Sequence, residues 1–180
     1  MKFDIKGIIC RAFNYLLEEI LCIPAKPDIR FLARAAVIAA LYAAVTLLLA
    51  PISYGPLQFR VSEALTLLPI LTPAAVPGLF VGCAIANLLS PAVTALDVVF
   101  GSLATLAAAL LTRRLRERPL LAAAPPVLVN AVAVGALLSY AYNLPFWLTA
   151  LEVGAGQLGV LYALGLPLFY ALRHLPGKIW

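Results

Sequence analysis

Long apolar runs, separated by short breaks that contain proline or polar residues, dominate the pattern of this sequence. The runs are rich in Leu, Ala and Val and do not alternate with a period of two, so they predict helices rather than the strands of a barrel. Apolar helices can span a bilayer because they satisfy their backbone hydrogen bonds internally. We therefore predict an all-α integral membrane protein with six transmembrane helices. The predicted spans cover about residues 31–52 and 58–71, a third segment that ends at 89, and then 93–112, 120–141 and 146–172.

The first 28 residues follow a different pattern. Their apolar residues recur at helical spacing but are interspersed with charges, which predicts an amphipathic helix on the cytoplasmic membrane surface. Glu18 and Glu19 interrupt the apolar region, so we do not interpret it as a cleaved signal peptide. The predicted organisation is a cytoplasmic segment (1–28), a six-helix membrane domain (31–172) and a cytoplasmic tail (173–180).

Composition and charge support the membrane assignment. The chain is 64% hydrophobic and 12% charged, whereas a soluble domain has roughly half its residues apolar and a quarter charged. The net charge of +5 comes from basic residues before Ala35, in residues 113–118 and near the C-terminus. The positive-inside rule then places both termini and the 113–118 loop in the cytoplasm, and an interaction with nucleic acid is not indicated.

Alanines recur every four residues in the first span and form two stripes. One contains Ala35, Ala39 and Ala43, and the other contains Ala36, Ala40 and Ala44. Small residues at this spacing let helices approach closely. Either stripe could pack within the protein or meet another subunit, and periodicity alone does not decide between them.

Ionisable residues are rare inside the predicted spans. A charge at the bilayer centre costs about 2.5–3.5 kcal/mol, so Arg60, Glu63, Asp97 and Glu152 each need a partner or a polar cavity. With both termini in the cytoplasm, the turns at residues 53–56, 90–94 and 140–145 lie on the outer side. All four ionisable residues lie within about a dozen residues of one of these turns, which predicts one polar pocket in the outer half of the membrane. Arg60 and Glu63 share a helical face at this spacing and can pair. The alternative is ion pairing that merely ties helices together, but the excess of acid favours a pocket for a cationic or donor-rich solute.

The sequence contains no motif for catalysis, for a metal or for ATP. Cys10, Cys22 and Cys83 have no metal-ligand spacing, and we expect neither a metal nor another cofactor. Without an ATP site of its own, the chain would need partner subunits for powered transport.

Several segments together resemble the QueT family. They are residues 53–65 (SYGPLQFRVSEAL), 77–89 (PGLFVGCAIANLL), 96–106 (LDVVFGSLATL) and 125–131 (PPVLVNA), and the resemblance covers about residues 31–172. It implies a substrate-binding S component of an energy-coupling factor (ECF) transporter, with six helices and a pocket near the outer face. It also implies a transmembrane coupling subunit, two ATPase subunits, and queuosine precursors, which are 7-deazaguanines, as substrates. Docking of the coupling subunit would fall on Ala36, Ala40 and Ala44.

A 7-deazaguanine presents N–H donors that a carboxylate can accept in pairs, and its ring can stack on an aromatic side chain. The candidate substrate-binding residues are Tyr54, Gln58, Phe59, Arg60, Glu63, Asn87, Asp97, Asn130, Glu152 and Gln157. The family pattern implies an acid after a glycine in the sixth span, where this chain has Gly156 and Gln157. Glu152 lies about one turn earlier, so the roles of Glu152 and Gln157 stay open.

Two other classes of protein are compatible with the sequence. One is a self-sufficient secondary carrier or channel for another small cationic or vitamin-like solute, with Arg60, Glu63 and Asp97 as a proton relay. The other is a structural membrane subunit, which would bind no small molecule.

Overall fold

A computed structural model describes residues 24, 26–54, 59–90 and 95–174. These residues form helices and connecting turns, with no strand among them, which confirms the all-α prediction for this part of the chain. The amphipathic helix predicted near the N-terminus and most of the predicted tail lie outside the described residues. The helices are α1 (Ile29–Leu48), α2 (Ala50–Ser53), α3 (Val61–Ile70), α4 (Ala75–Leu89), α5 (Ser102–Arg114), α6 (Pro119–Ala122), α7 (Ala124–Tyr142), α8 (Phe146–Val160) and α9 (Leu166–Arg173).

Within the described part of the chain, three helical stretches are long and apolar enough to cross a membrane. They are Ile29–Leu48, Pro119–Tyr142 and Phe146–Arg173, while α3 and α4 are apolar but shorter. The protein is therefore a membrane protein by the composition of its helices. The total of six spans stays a prediction.

Helix α1 packs closely on α4 through one of its two alanine stripes. A Cβ atom built on Gly78 would lie 2.7 Å from the carbonyl oxygen of Ala35, and one on Gly82 would lie 2.8 Å from that of Ala39. Only glycine permits this approach, because a methyl group would meet backbone that cannot move aside. The stripe of Ala36, Ala40 and Ala44 is rotated from the first by about 100° and is exposed.

Helices α7 and α8 form an antiparallel pair joined by a short turn. Asn143 ends α7 in the left-handed conformation, with φ of 52°, which asparagine tolerates well at this position. Ser139 donates a hydrogen bond to the carbonyl oxygen of Leu144 (2.7 Å), and Pro145 precedes the first residue of α8. This turn directs α8 back along α7.

Helix α3 is a buried 3-10 helix of ten residues, longer than most helices of this type. A π-helical turn, Leu161–Gly165, connects α8 to α9 and packs against α3. A Cβ atom on Gly165 would lie 3.3 Å from the carbonyl oxygen of Ala64, so the glycine lets the two segments meet. At the other end of α3, the Arg113 guanidinium donates to the carbonyl oxygens of Pro69 (2.9 Å) and Ile70 (3.3 Å). The packing thus fixes both ends of the helix that carries Glu63.

A buried polar site around Glu63

The Glu63 carboxylate is the centre of a hydrogen-bond network that joins three helices. Its side chain is only 1% exposed. The Tyr42 hydroxyl of α1 donates to one carboxylate oxygen (2.6 Å), and the Gln157 amide of α8 donates to the other (3.1 Å). Buried charge is tolerated only when hydrogen-bonded, so this pair of donors accounts for the position of Glu63.

A second hydrogen-bonded contact between α1 and α3 lies beside the bond from Tyr42 to Glu63. The hydroxyl groups of Thr46 and Ser62 share a hydrogen bond of 2.6 Å, and Thr46 also lies 2.7 Å from the carbonyl oxygen of Tyr42. Thr66 donates to the carbonyl oxygen of Glu63 at 2.6 Å. These bonds hold the first turn of α3, and hence the Glu63 side chain, against α1.

Arg60 does not hold Glu63 as predicted. Its guanidinium carbon lies 5.2 Å from the centre of the Tyr54 ring, in a cation–π contact, and one terminal nitrogen is 3.9 Å from the Cys83 sulfur. The hydrogen bonds described for the Glu63 carboxylate come from Tyr42 and Gln157 instead. The reason is that Arg60 precedes α3, with an extended backbone (φ −86°, ψ 92°), so the helical spacing that would align it with Glu63 does not apply.

Three side chains converge on the Cys83 sulfur. Arg60 is one, the Asn87 amide nitrogen lies 3.6 Å away, and the Thr105 hydroxyl lies 3.3 Å away. Asn87 also donates to the backbone carbonyl of Asp97 (3.1 Å), so this cluster links α4 to the turn before α5. Tyr54 is anchored nearby, because its hydroxyl donates to the carbonyl oxygen of Ala86 (3.0 Å).

A small cavity lies next to the Glu63 carboxylate. Its lining combines a guanidinium, a carboxylate and two amides with two valines, namely Arg60, Glu63, Asn130, Val134, Val153 and Gln157. It leaves about 10 Å³ for the centre of a water molecule, which is room for about one water. The buried Nε atom of Arg60 has no hydrogen-bond partner among the described residues. The cavity therefore brings an unused donor close to a carboxylate and two amides.

The structure brings four of the predicted site residues to this cavity: Arg60, Glu63, Asn130 and Gln157. Tyr54 and Asn87 connect to it through Arg60 and Cys83. Asn87 also keeps one buried oxygen without a hydrogen-bond partner among the described residues.

The remaining candidates are placed elsewhere. Asp97 and Glu152 are half-buried and do not line this small cavity, so their place in a shared polar pocket with Glu63 stays a prediction. On α8, Val153 and Gln157 are four apart and share a face, from which Glu152 is rotated by about 100°. Phe59 is 46% exposed, and Gln58 lies outside the described residues.

Sequence reasoning missed Tyr42, Thr46 and Cys83. Tyr42 is fully buried and lies one turn after Ile38 and Ala39 on the inward face of α1. A signal was present, because a tyrosine within an apolar span must find a hydrogen-bond partner for its hydroxyl. Which partner it finds depends on the helix that packs against that face.

Comparison with known proteins supports the resemblance described from the sequence. A family model described as QueT transporter matches residues 32–174, which is most of the chain. The chain belongs to the QueT transporter family. A curated member, the queuosine precursor transporter QueT of Lactococcus lactis subsp. cremoris (strain MG1363), is 44% identical over 73 residues. That alignment covers 39% of this chain and 42% of the relative, so it spans less than half the length of either protein. No solved structure matches the chain.

Proposed function

We propose that this protein is the substrate-binding subunit of an ECF-type importer in the cell membrane and that it takes up a queuosine precursor. The observation that carries the proposal is the match to the QueT transporter family over residues 32–174. The buried site around Glu63 supports it, because a membrane protein retains buried polar side chains mainly where they serve a function.

The side chains of the site suit a 7-deazaguanine. The Glu63 carboxylate accepts the paired N–H donors on one edge of the base, as acids do in the recognition of other bases. The unused Arg60 Nε atom donates to the carbonyl oxygen of the base, while Asn130 and Gln157 can each donate or accept. Val134 and Val153 supply apolar contact for the ring.

Binding requires the site to open. A cavity with room for about one water is far below the roughly 300–1,000 Å³ of usual ligand pockets. The ligand therefore replaces Gln157 as a donor to Glu63, and α8 separates from α3. The described conformation is the closed state of the site.

Energy for uptake comes from partners, namely a transmembrane coupling subunit and two ATPase subunits. The coupling subunit docks on Ala36, Ala40 and Ala44, which are exposed and flat, whereas Ala39 and Ala43 are buried inside the protein. In the membrane, the basic flanks place both termini in the cytoplasm.

The proposal is tested by calorimetry on the detergent-purified protein with 7-deazaguanines, guanine and unrelated vitamins. Saturable binding of a 7-deazaguanine, with weaker or no binding of the vitamins, is expected. Binding of a vitamin in preference to every deazaguanine would contradict the proposed substrate class.

A second measurement separates the subunit from a self-sufficient carrier. Proteoliposomes that contain this protein alone are given a proton gradient and a labelled 7-deazaguanine. The expected result is no accumulation without the coupling subunit and ATPases, and accumulation driven by the gradient alone would favour a secondary carrier.

A further inference from the structure

A second pocket lies at the far end of α3 from Glu63. Its volume is about 630 Å³. Its lining combines arginines and a glutamate from the end of α5 and the following turn with residues around the start of α1 and α4: Pro24, Phe31, Pro73, Arg113, Arg114, Arg116 and Glu117. Among the described lining residues, three arginines and one glutamate leave a formal excess of two positive charges, and we call this the basic pocket.

The arginines of the basic pocket differ in their contacts and exposure. The Arg113 guanidinium is bonded to the carbonyl oxygens of Pro69 and Ile70, so it fixes the pocket wall to the end of α3. Arg114 and Arg116 are exposed, and their guanidinium groups can reach a ligand. A guanidinium binds phosphate well, because its planar set of donors matches two phosphate oxygens at once.

The level of the basic pocket in the membrane is indicated by its neighbours. Exposed leucines lie within a few residues on both sides of the arginines: Leu111, Leu115, Leu120 and Leu121. In a membrane protein, exposed leucines interspersed with arginines are typical of the level where acyl chains give way to headgroups.

We propose that the basic pocket binds the phosphate of an anionic phospholipid headgroup, with the acyl chains against the exposed leucines. Basic pockets between membrane helices bind anionic headgroups in this way. The leucines favour a lipid over an acidic peptide, which would leave their apolar surface uncovered. This site is separate from Glu63 and does not depend on the identity of the transported solute.

Native mass spectrometry of the detergent-purified protein tests the proposal with dioleoylphosphatidylglycerol as the probe. We expect one such lipid to stay bound preferentially over dioleoylphosphatidylcholine. Inorganic phosphate at the same concentration should not displace it, because free phosphate lacks the contribution of the acyl chains. Displacement by inorganic phosphate would show that the pocket is a simple anion site and would overturn the lipid assignment.

Matched charge variants distinguish the pocket from general surface charge. Arg116→Gln should weaken phosphatidylglycerol binding about fivefold or more. Arg118→Gln removes the same charge two residues away, from a side chain that does not line the pocket, and should weaken binding less. Glu117→Gln should strengthen binding, because it removes the one acid among the described lining residues. Equal losses in the two arginine variants, or no loss in Arg116→Gln, would overturn the proposal.

Discussion

At the scale of single residues, the carboxylate of Glu63 is stabilised by neutral donors rather than by a salt bridge. Tyr42 and Gln157 each supply one hydrogen bond, and Arg60 lines the same cavity while it stacks on Tyr54. Neutral donors can be exchanged for those of a ligand without separating an ion pair. This arrangement suits an acid that must bind and release a solute.

Replacement of Tyr42 tests this network. Tyr42→Phe removes the 2.6 Å hydrogen bond to Glu63 and leaves a buried acceptor with one partner fewer, which should lower the free energy of unfolding by about 1–3 kcal/mol. Denaturant unfolding in detergent measures the change. Tyr162→Phe is the control, because its hydroxyl bonds the Leu120 carbonyl in an exposed position and should matter little. Equal stability of the wild type and Tyr42→Phe would contradict the role of this bond.

The sequence predicted part of this site and missed part for identifiable reasons. Arg60, Glu63, Asn130 and Gln157 were recognisable because polar side chains are scarce within apolar spans. The hydrogen bond from Tyr42 to Glu63 could not be predicted, because it depends on which faces of α1 and α3 meet. The pairing of Arg60 with Glu63 was wrong because helical spacing was assumed for a residue that lies before the helix.

At the scale of elements, the two alanine stripes of α1 have different environments. Its inward stripe meets Gly78 and Gly82 of α4, and its outward stripe is left exposed. The long helices and their breaks were predictable, because periodicity, proline and glycine act locally. The 3-10 geometry of α3 and the π-helical turns at Asp97–Gly101 and Leu161–Gly165 were not predictable, because they arise from packing against other helices.

Glycine substitutions test the contact between α1 and α4. Gly82→Ala places a methyl group 2.8 Å from the Ala39 carbonyl oxygen, so the clash should exceed the gain in helix propensity and destabilise the protein by about 1–3 kcal/mol. Gly159→Ala meets only the Phe59 ring at 3.8 Å and should be neutral or stabilising. Thermal unfolding of both variants gives the comparison, and an unchanged Gly82→Ala melting temperature would argue against the close packing.

The exposed stripe makes a separate prediction about the coupling subunit. Ala40→Trp should prevent co-purification with that subunit, because a bulky side chain separates the helices and removes their dispersion contacts. Binding of a 7-deazaguanine should be unchanged. Ala155→Trp adds the same bulk at an exposed position on α8 and serves as the control. A normal complex with the Ala40→Trp variant would exclude this face of α1.

At the scale of the whole molecule, the distribution of charge organises the protein along the membrane normal. The Glu63 site and the basic pocket lie at opposite ends of the short helix α3. If the basic pocket faces the cytoplasm, as the positive-inside rule predicts, the Glu63 site opens toward the outer face. The proposed solute site and the proposed headgroup site would then face opposite sides of the membrane, at the two ends of α3.

Cysteine labelling tests this orientation. Single cysteines at positions 142 and 118, in a chain whose Cys10 and Cys22 are replaced by serine, are exposed to a membrane-impermeant thiol reagent in intact cells. Cys83 is buried and should not react. Reaction at position 142 and protection at 118 are expected, and the reverse result would invert the orientation.

We propose that the buried site around Glu63 binds a 7-deazaguanine. The most direct measurement is calorimetric titration of a 7-deazaguanine into wild type, Glu63→Gln and Glu152→Gln. Glu63→Gln replaces one acceptor oxygen with a donor, so its affinity should fall by about one to two decades, while Glu152→Gln should bind like the wild type. Unchanged affinity in Glu63→Gln, or a loss confined to Glu152→Gln, would show that Glu63 does not bind the base.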